Sequence, residues 1–468
     1  MSGYTKFECP NRAIVGATKC IFHDSNYWRQ YSNAISSEFA EQLQKAVKEK
    51  QPLYAIGYNL TAINIKGEFH APVYLTSALF HSGADLNARF LSVFDLSGAV
   101  FENGASFAGS VFQDASGFYG VTFQYAIFNW VKFYKYAGFT GTKFPGDARF
   151  NATIFLGQSS FNGARFSNVA DFHRAVFAKH ADFAWTRFDD VAYFAEAKFI
   201  SANFFRSQIQ QANFTDTTLV IPYNKEQKSD DEKDEPKGIV SFHLANFAQP
   251  SKAIFDKVNL SRTSFHRTEN LDQIQFLNVD WMRAQGNQGS ITGRTHIIEE
   301  RALTEQIAAD PVTGSNVTRE DVLSVYRRLR DNYEKAARYD DAGRFFVSEM
   351  EVQRIFDKKG VKRPWIVRNI LSLLALYKIF ALYGESYTRP LIWSTILVTG
   401  FFFLRFLMSY CTEPTCNDAD LIIDSLSAFF QLPRGDHYID IIERILSAPI
   451  LGTLFIALKR KFERKIRR

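Results

Sequence analysis

Two stretches of this chain hold residues whose types and spacing could do chemistry. Near the N-terminus, Cys9, Cys20 and His23 form a Cys-x10-Cys-x2-His pattern. Thiolate and imidazole are donors that zinc prefers, and a structural zinc ion takes about four of them. Three are present, so His70 or another side chain must supply the fourth. The competing reading is a pair of free thiols in a poorly ordered tail. Toward the other end, Cys411 and Cys416 sit in a short acidic loop, where an oxidising compartment would allow a disulfide. Catalytic patterns are missing: the nine His are scattered, and there is no Gly-x-Ser-x-Gly, no phosphate loop and no Gly-x-Gly-x-x-Gly before a helix. An enzyme is not expected, and no residue is assigned a catalytic role.

The elements that must position these residues follow from a different regularity. Phe returns every five or six residues along the middle of the chain, as at Phe107, Phe112, Phe118, Phe123, Phe128, Phe133, Phe139, Phe144 and Phe150, and the beat runs on to Phe204. Two positions before each stands a small residue, as at Ala105, Ser110, Ser116, Val121, Ala126 and Val131. A helix repeats its buried stripe about every 3.6 residues and a strand about every second residue, so neither puts every fifth residue on one side. A coil that turns a corner about every five residues does. Its large residue points to the axis and stacks on its equivalent in the next coil, and a bulky companion would collide with that ladder.

Ala84-Asp85-Leu86, Ala181-Asp182-Phe183, Ala202-Asn203-Phe204 and Ala212-Asn213-Phe214 carry a family resemblance. The series is similar to the pentapeptide-repeat family, whose unit is a small residue, Asp or Asn, Leu or Phe, and two variable residues. The resemblance implies a mainly β fold, a right-handed quadrilateral β-helix, over residues 60–282, with Phe242, Phe247, Phe255, Phe265, Phe276 and Trp281 continuing it past a break. Coils of about 21 residues stacked ~4.8 Å apart give about nine or ten coils. The six-residue steps depart from the strict unit and predict small bulges at corners.

Charge bounds the partners. Residues 220–238 contain the run from Lys225 to Glu235, too charged for a dry stack and read as a solvated insertion. Between Ala84 and Leu219 there are eleven acidic and eleven basic residues, although the whole chain carries +6. Some pentapeptide-repeat proteins resemble DNA in shape and negative charge. Such mimicry needs acidic faces, which this repeat lacks, and no nucleic-acid partner is expected. In the N-terminal segment, 1–59, the Cys9, Cys20 and His23 pattern resembles the small zinc knuckles of related archaeal pentapeptide-repeat proteins, which carry a further Cys upstream that is absent here.

After Trp281 the repeat stops. Residues 283–356 read as a linker and a helical hairpin, with Thr318 and Asp321 as a cap and Val322, Val325, Tyr326, Leu329 and Tyr333 as an apolar stripe. The string from Tyr326 to Glu351 resembles the hairpin that follows the β-helix in membrane-attached family members, and its arginines read as a solvated face. Residues 357–468 form the expected membrane domain: an interfacial helix over Arg368 to Tyr383, and two transmembrane helices near 391–410 and 439–458. Arg405, the only charge of the first span, is expected to snorkel to headgroups. Lys and Arg flank the outer borders of both spans while acids dominate between them, which places both termini and the β-helix in the cytoplasm and the Cys411–Cys416 loop outside.

The expected function is a membrane-anchored scaffold that presents a rigid cytoplasmic β-helix to a protein partner. Its transmembrane helices contact membrane lipid and offer a route to a homo-oligomer, and zinc is the one cofactor implied. The alternative is a subunit of an ion-channel-like or transport assembly. Two spans around the amphipathic segment Leu421 to Leu432 resemble the outer, pore and inner helices of two-span cation channels, which some pentapeptide-repeat proteins carry. Pro433-Arg434-Gly435-Asp436-His437 departs from the Gly-rich filter such channels need, and makes the filter degenerate.

Overall fold

The computed structural model describes residues 9, 11, 13–15, 18–219, 238–283, 294–305, 317–356, 372–412, 418–432 and 438–466. The chain divides into two compact units, Met1–Met282 with His296–Val325, and Arg283–Thr295 with Tyr326–Arg468.

The first unit is a parallel β-solenoid of about 10 turns. Its strands are mostly two residues long and pair in parallel with the strand one turn on, as Phe112 with Phe133 and Phe133 with Phe155. The solenoid strands fall into two sheets, each taking two short strands from the earlier turns, which merge between Val176 and Asn213 into single strands of six or seven residues such as Val176–Asp182. The reason is visible in one step: Ala105 points in, Ser106 points out, and Phe107 points in again. Inward rings then stack at the coil spacing. Phe107 to Phe128 is 4.7 Å, Phe128 to Phe150 4.8 Å and Phe150 to Phe172 4.8 Å, with planes within 8° of parallel. Within a coil the next ring stands edge-on, 5.9 Å and 89° between Phe133 and Phe139. Both arrangements suit the ring quadrupole.

The companion position is small because of this ladder, and several of its polar members satisfy their hydroxyls on a backbone carbonyl, whereas the buried hydroxyls of Ser159 and Thr263 find no partner among the described residues. Thr153 Oγ1 donates to the Phe128 carbonyl at 2.6 Å, and Ser110 and Thr186 donate likewise to Leu86 and Phe161. Alternate corners take a residue at positive φ, supplied by Gly141 or Gly163 where nothing else is needed and by Trp130 or Trp185 elsewhere. The expected bulges occur where a six-residue step meets a five-residue one. Phe177 to Phe183 pairs with Phe199 to Phe204, and register shifts between Phe177 and His180. The same happens between Phe188 and Val191. The charged stretch 220–237 lies outside the described residues, and the stack continues across it with Phe204 on Phe242 at 4.8 Å and Phe214 on Phe255 at 4.6 Å.

Each end of the stack is covered, which removes the open edge a solenoid would otherwise present. At the first coil lies helix α2 (Ser32–Glu49), after the single turn α1 (Tyr27–Gln30), and it buries Ile35, Phe39, Leu43 and Ala46 along one face. Phe22 stacks on Tyr58 at 4.3 Å, with Phe39 against both. At the last coils lies α3 (Ile298–Glu305), whose Glu299 accepts the Phe265 N–H at 2.6 Å and the Ser264 hydroxyl at 3.1 Å.

The second unit is helical. Helix α4 (Arg319–Lys335) leads into α5 (Tyr339–Phe356), and from Tyr326 onward they pack as a hairpin with Tyr333 stacked on Phe345 at 5.3 Å. Then come α6 (Leu373–Ala381), α7 (Thr388–Thr412), α8 (Asp418–Phe429) and α9 (Tyr438–Ile466), the last continuing through Pro449. Two stretches, Thr388–Met408 and Tyr438–Glu463, are long and apolar enough to cross a membrane. Of the interfacial helix expected over Arg368 to Tyr383, the residues before Ser372 lie outside the described residues, as do the insertion 220–237 and the 433–437 stretch.

Candidate functional site

The structure brings Cys9, Cys20 and His23 together, with their donor atoms all within 4.8 Å of one another. A turn over residues 21–23 follows Cys20 and folds His23 back onto it, the His23 N–H donating to the Cys20 carbonyl at 3.0 Å. Cys9 Sγ is 3.5 Å from Cys20 Sγ, and Cys20 Sγ is 3.1 Å from His23 Nδ1. His23 Nε2 donates to the Ile56 carbonyl at 2.9 Å, which leaves the Nδ1 lone pair facing the sulfurs. That is the outer-shell bond that sets the tautomer of a metal-ligating imidazole. Asn11 bridges the group to Tyr58, and burial pushes the Cys20 thiol upward. The donor set therefore fits zinc in type and orientation. His70 lies elsewhere, 3.4 Å from Glu68, so among the described residues the cluster has three donors.

The outside of the solenoid carries aromatic residues that the core does not use. Trp130 and Trp185 are 63% and 51% exposed, each at a positive-φ corner, and Tyr119, Tyr134 and Tyr193 are exposed as well. Arg206 lies over both Trp185 and Phe205, at 4.8 and 5.2 Å. Gly138 makes room for the Tyr119 ring, since a Cβ there would stand 2.5 Å from it. A shallow groove of about 380 Å³ runs between Arg149, Asp171, His173 and Tyr193. His180 sits on the outside too, bonded through Nδ1 to Ser201 Oγ at 2.9 Å.

At the covered end of the stack, His266 packs on His243 with ring centroids 4.3 Å apart, and His266 Nε2 is 3.3 Å from Asp321 Oδ2. Asp321 also takes Arg267 Nε at 2.9 Å and closes a reciprocal cap with Thr318. Burial works to raise its pKa, but the Thr318 hydroxyl and the Arg267 guanidinium outweigh it and hold the carboxyl below the usual range. Burial lowers the His266 imidazole, with His243 adding to the effect. Burial pushes Glu299 up to about 7. Asp321 was legible as the partner of the Thr318 cap, whereas His266 and Glu299 carried no sequence signal, because each depends on what the following segment covers.

In the helical unit two sequence expectations are corrected. Arg405 does not snorkel. It is 7% exposed and forms paired contacts of 2.6 Å with Asp440 and Glu443 on α9, while Ser425 on α8 donates to Glu443 at 2.7 Å. Carboxylates close by remove the reason for the guanidinium to seek water. The hairpin arginines are not simply a solvated face either: Arg327 and Arg330 converge on buried Glu349 at 2.8 and 2.6 Å. Cys411 falls in α7, but Cys416 and the departing filter residues 433–437 lie outside the described residues, so the disulfide is not placed.

The class of this fold is a parallel β-solenoid built on a five-residue unit. Residues 128–176 and 139–186 match the family described as pentapeptide repeats (9 copies). The chain therefore carries pentapeptide repeats, followed by a C-terminal region with two apolar helices. No curated protein matches it.

Proposed function

We propose that this chain is a membrane-anchored scaffold whose solenoid presents its faces to a protein partner. The observation that carries the reading is the uncovered apolar surface of α7 and α9. Only 6% of the first membrane-length window and 22% of the second is buried within the chain, whereas the core helix of a water-soluble unit would be mostly covered. Lipid covers them in this reading. In this reading both termini and the solenoid are cytoplasmic, which the basic borders of the two helices support. Exposed Trp, Tyr and Arg on an otherwise charge-balanced rod are the residue types that dominate protein-protein hot spots. A pentapeptide-repeat solenoid is a packing architecture, and it supplies binding faces rather than a reaction centre.

The test is affinity capture from membranes with the full chain and with its Trp185→Ala/Arg206→Ala variant. A partner retained by the first and lost from the second supports the scaffold. A chain released from membranes by alkaline carbonate would sink the anchor. In the same reading Cys9, Cys20 and His23 hold a structural zinc ion that ties the N-terminal segment to the first coil, with a fourth donor from elsewhere. Elemental analysis of the chain purified without chelator should give one zinc per chain, lost in Cys20→Ser. A metal-free native protein would end that assignment.

A further inference from the structure

The helical unit contains a cavity of about 340 Å³, within the size range of small-ligand pockets, walled by Arg330, Arg460, Phe346, Glu334, Glu385 and Glu463. Its position follows from the antiparallel course of the two apolar helices. Arg405, late in α7, meets Asp440, early in α9, and Arg460, late in α9, meets Glu385 just before α7 at 3.2 Å. The cavity thus opens where one end of each apolar helix emerges, which is headgroup level once both helices lie in a bilayer.

Its chemistry is two-sided. Arg460 gives Nη1 to the Tyr383 carbonyl at 3.1 Å and to Glu385, and its guanidinium lies 4.6 Å over the Phe346 ring, which leaves its Nε and Nη2 for an anion. Arg330, 5.8 Å over the same ring, is fixed by Glu349 and Asp331. Against these two cations stand Glu334 and Glu463, both exposed, and Glu385. A purely anionic headgroup would meet more carboxylates than guanidiniums. A quaternary ammonium would find the aromatic ring already covered by arginine and could give the carboxylates no hydrogen bond.

We infer that this cavity binds the phosphoethanolamine headgroup of a membrane phospholipid, its phosphate on Arg460 and Arg330 and its primary ammonium on Glu334 and Glu463. The inference rests on the membrane anchor proposed above.

The experiment places the full chain in nanodiscs of equal phosphatidylethanolamine, phosphatidylcholine and phosphatidylglycerol, extracts it, and counts retained lipid by mass spectrometry. Phosphatidylethanolamine should be enriched about tenfold over the other two. The Glu334→Gln/Glu463→Gln variant, altered only at exposed carboxylates, should lose that preference while keeping its helical circular dichroism. Equal retention of the three lipids, preference for phosphatidylglycerol, or an unchanged preference in the variant would each overturn the assignment. So would soluble glycerophosphoethanolamine binding as tightly as the lipid. A chain that fails to stay in membranes refutes the anchor instead, whereas one that stays but retains no phosphatidylethanolamine refutes only the headgroup site.

Discussion

The solenoid and the helical unit solve the same burial problem with opposite materials. Between residues 53 and 276, no Asp, Glu, Lys or Arg among the described residues is buried, and the interior is a repeated stack of rings and small side chains. In the helical unit Arg405, Asp440, Glu443, Glu349 and Glu351 are all buried and hold helices together through ion pairs. A ring stack spreads its stabilisation over many equivalent pairs, each about 0.5–1.5 kcal/mol beyond area burial. A charged cluster concentrates it, because removing one member leaves the others uncompensated. The lesson is that tolerance to substitution should be graded by position in the first region and by partner in the second.

The sharpest way to break this contrast is to put a charge in the stack. Phe172 lies between Phe150 and Phe194 at 4.8 and 5.2 Å, so Phe172→Asp should cost more than about 4 kcal/mol in urea unfolding of the full chain. Unchanged unfolding would mean that the ladder does not carry the solenoid. Next is Arg405→Leu, which strands two buried carboxylates and should cost about 3–5 kcal/mol. The comparison gains from a rescue: Arg405→Leu/Asp440→Leu/Glu443→Leu should recover most of that loss in detergent, since lipid-like surroundings accept leucine. No recovery would show that the cluster does more than neutralise itself.

What could be read beforehand divides along the same line. The ladder was legible because each Phe and each small companion obeys a rule local to five residues, and the bulges were legible because a six-residue step is visible in the chain. The two apolar helices were legible from the length and apolar composition of their stretches. Arg405 was misread because its partners Asp440 and Glu443 lie 35 and 38 residues on and look, in sequence, like acids of the loop and its border. Glu299 was missed, and Asp321 was read only as a cap and not as the partner of Arg267 and His266, because both depend on α3 and the start of α4 covering the last coils, a tertiary fact with no periodic trace. The Cys9, Cys20 and His23 cluster shows the intermediate case: spacing suggested the donors, but only the fold supplied the Ile56 carbonyl that aims the imidazole.

Glu299 gives a pH-dependent test of that missed end. Its folded pKa of about 7 lies above the ordinary 4.5, so the folded chain keeps a proton that the unfolded chain releases. Its contribution is therefore fully present below about pH 4.5 and is lost as pH rises toward 7. Glu299→Gln should match the parent at pH 4.5 and exceed its stability by roughly 3 kcal/mol at pH 8. His266 and Asp321 pull the other way, since a lowered imidazole and a lowered carboxyl both lose stability as pH falls, so the two slopes are separable by variant. Identical pH profiles for parent and Glu299→Gln would mean that the carboxyl is hydrated.

The smallest effect probes the companions of the rings. Thr153→Val keeps the shape of the side chain but removes the bond from Oγ1 to the Phe128 carbonyl, an oxygen that still accepts the Val131 N–H at 3.2 Å. One acceptor retains a partner and no donor is orphaned, so the loss should be about 0.5–1.5 kcal/mol rather than the larger cost of an unsatisfied group. Ala175 and Ala197 occupy the same place in the next two coils without any hydroxyl, which already shows that the bond is not required for the coil to close. A Thr153→Val chain as stable as the parent would reduce these hydroxyls to space fillers. A loss above about 2 kcal/mol would make them the polar counterpart, inside the stack, of the ion pairs that hold the helices.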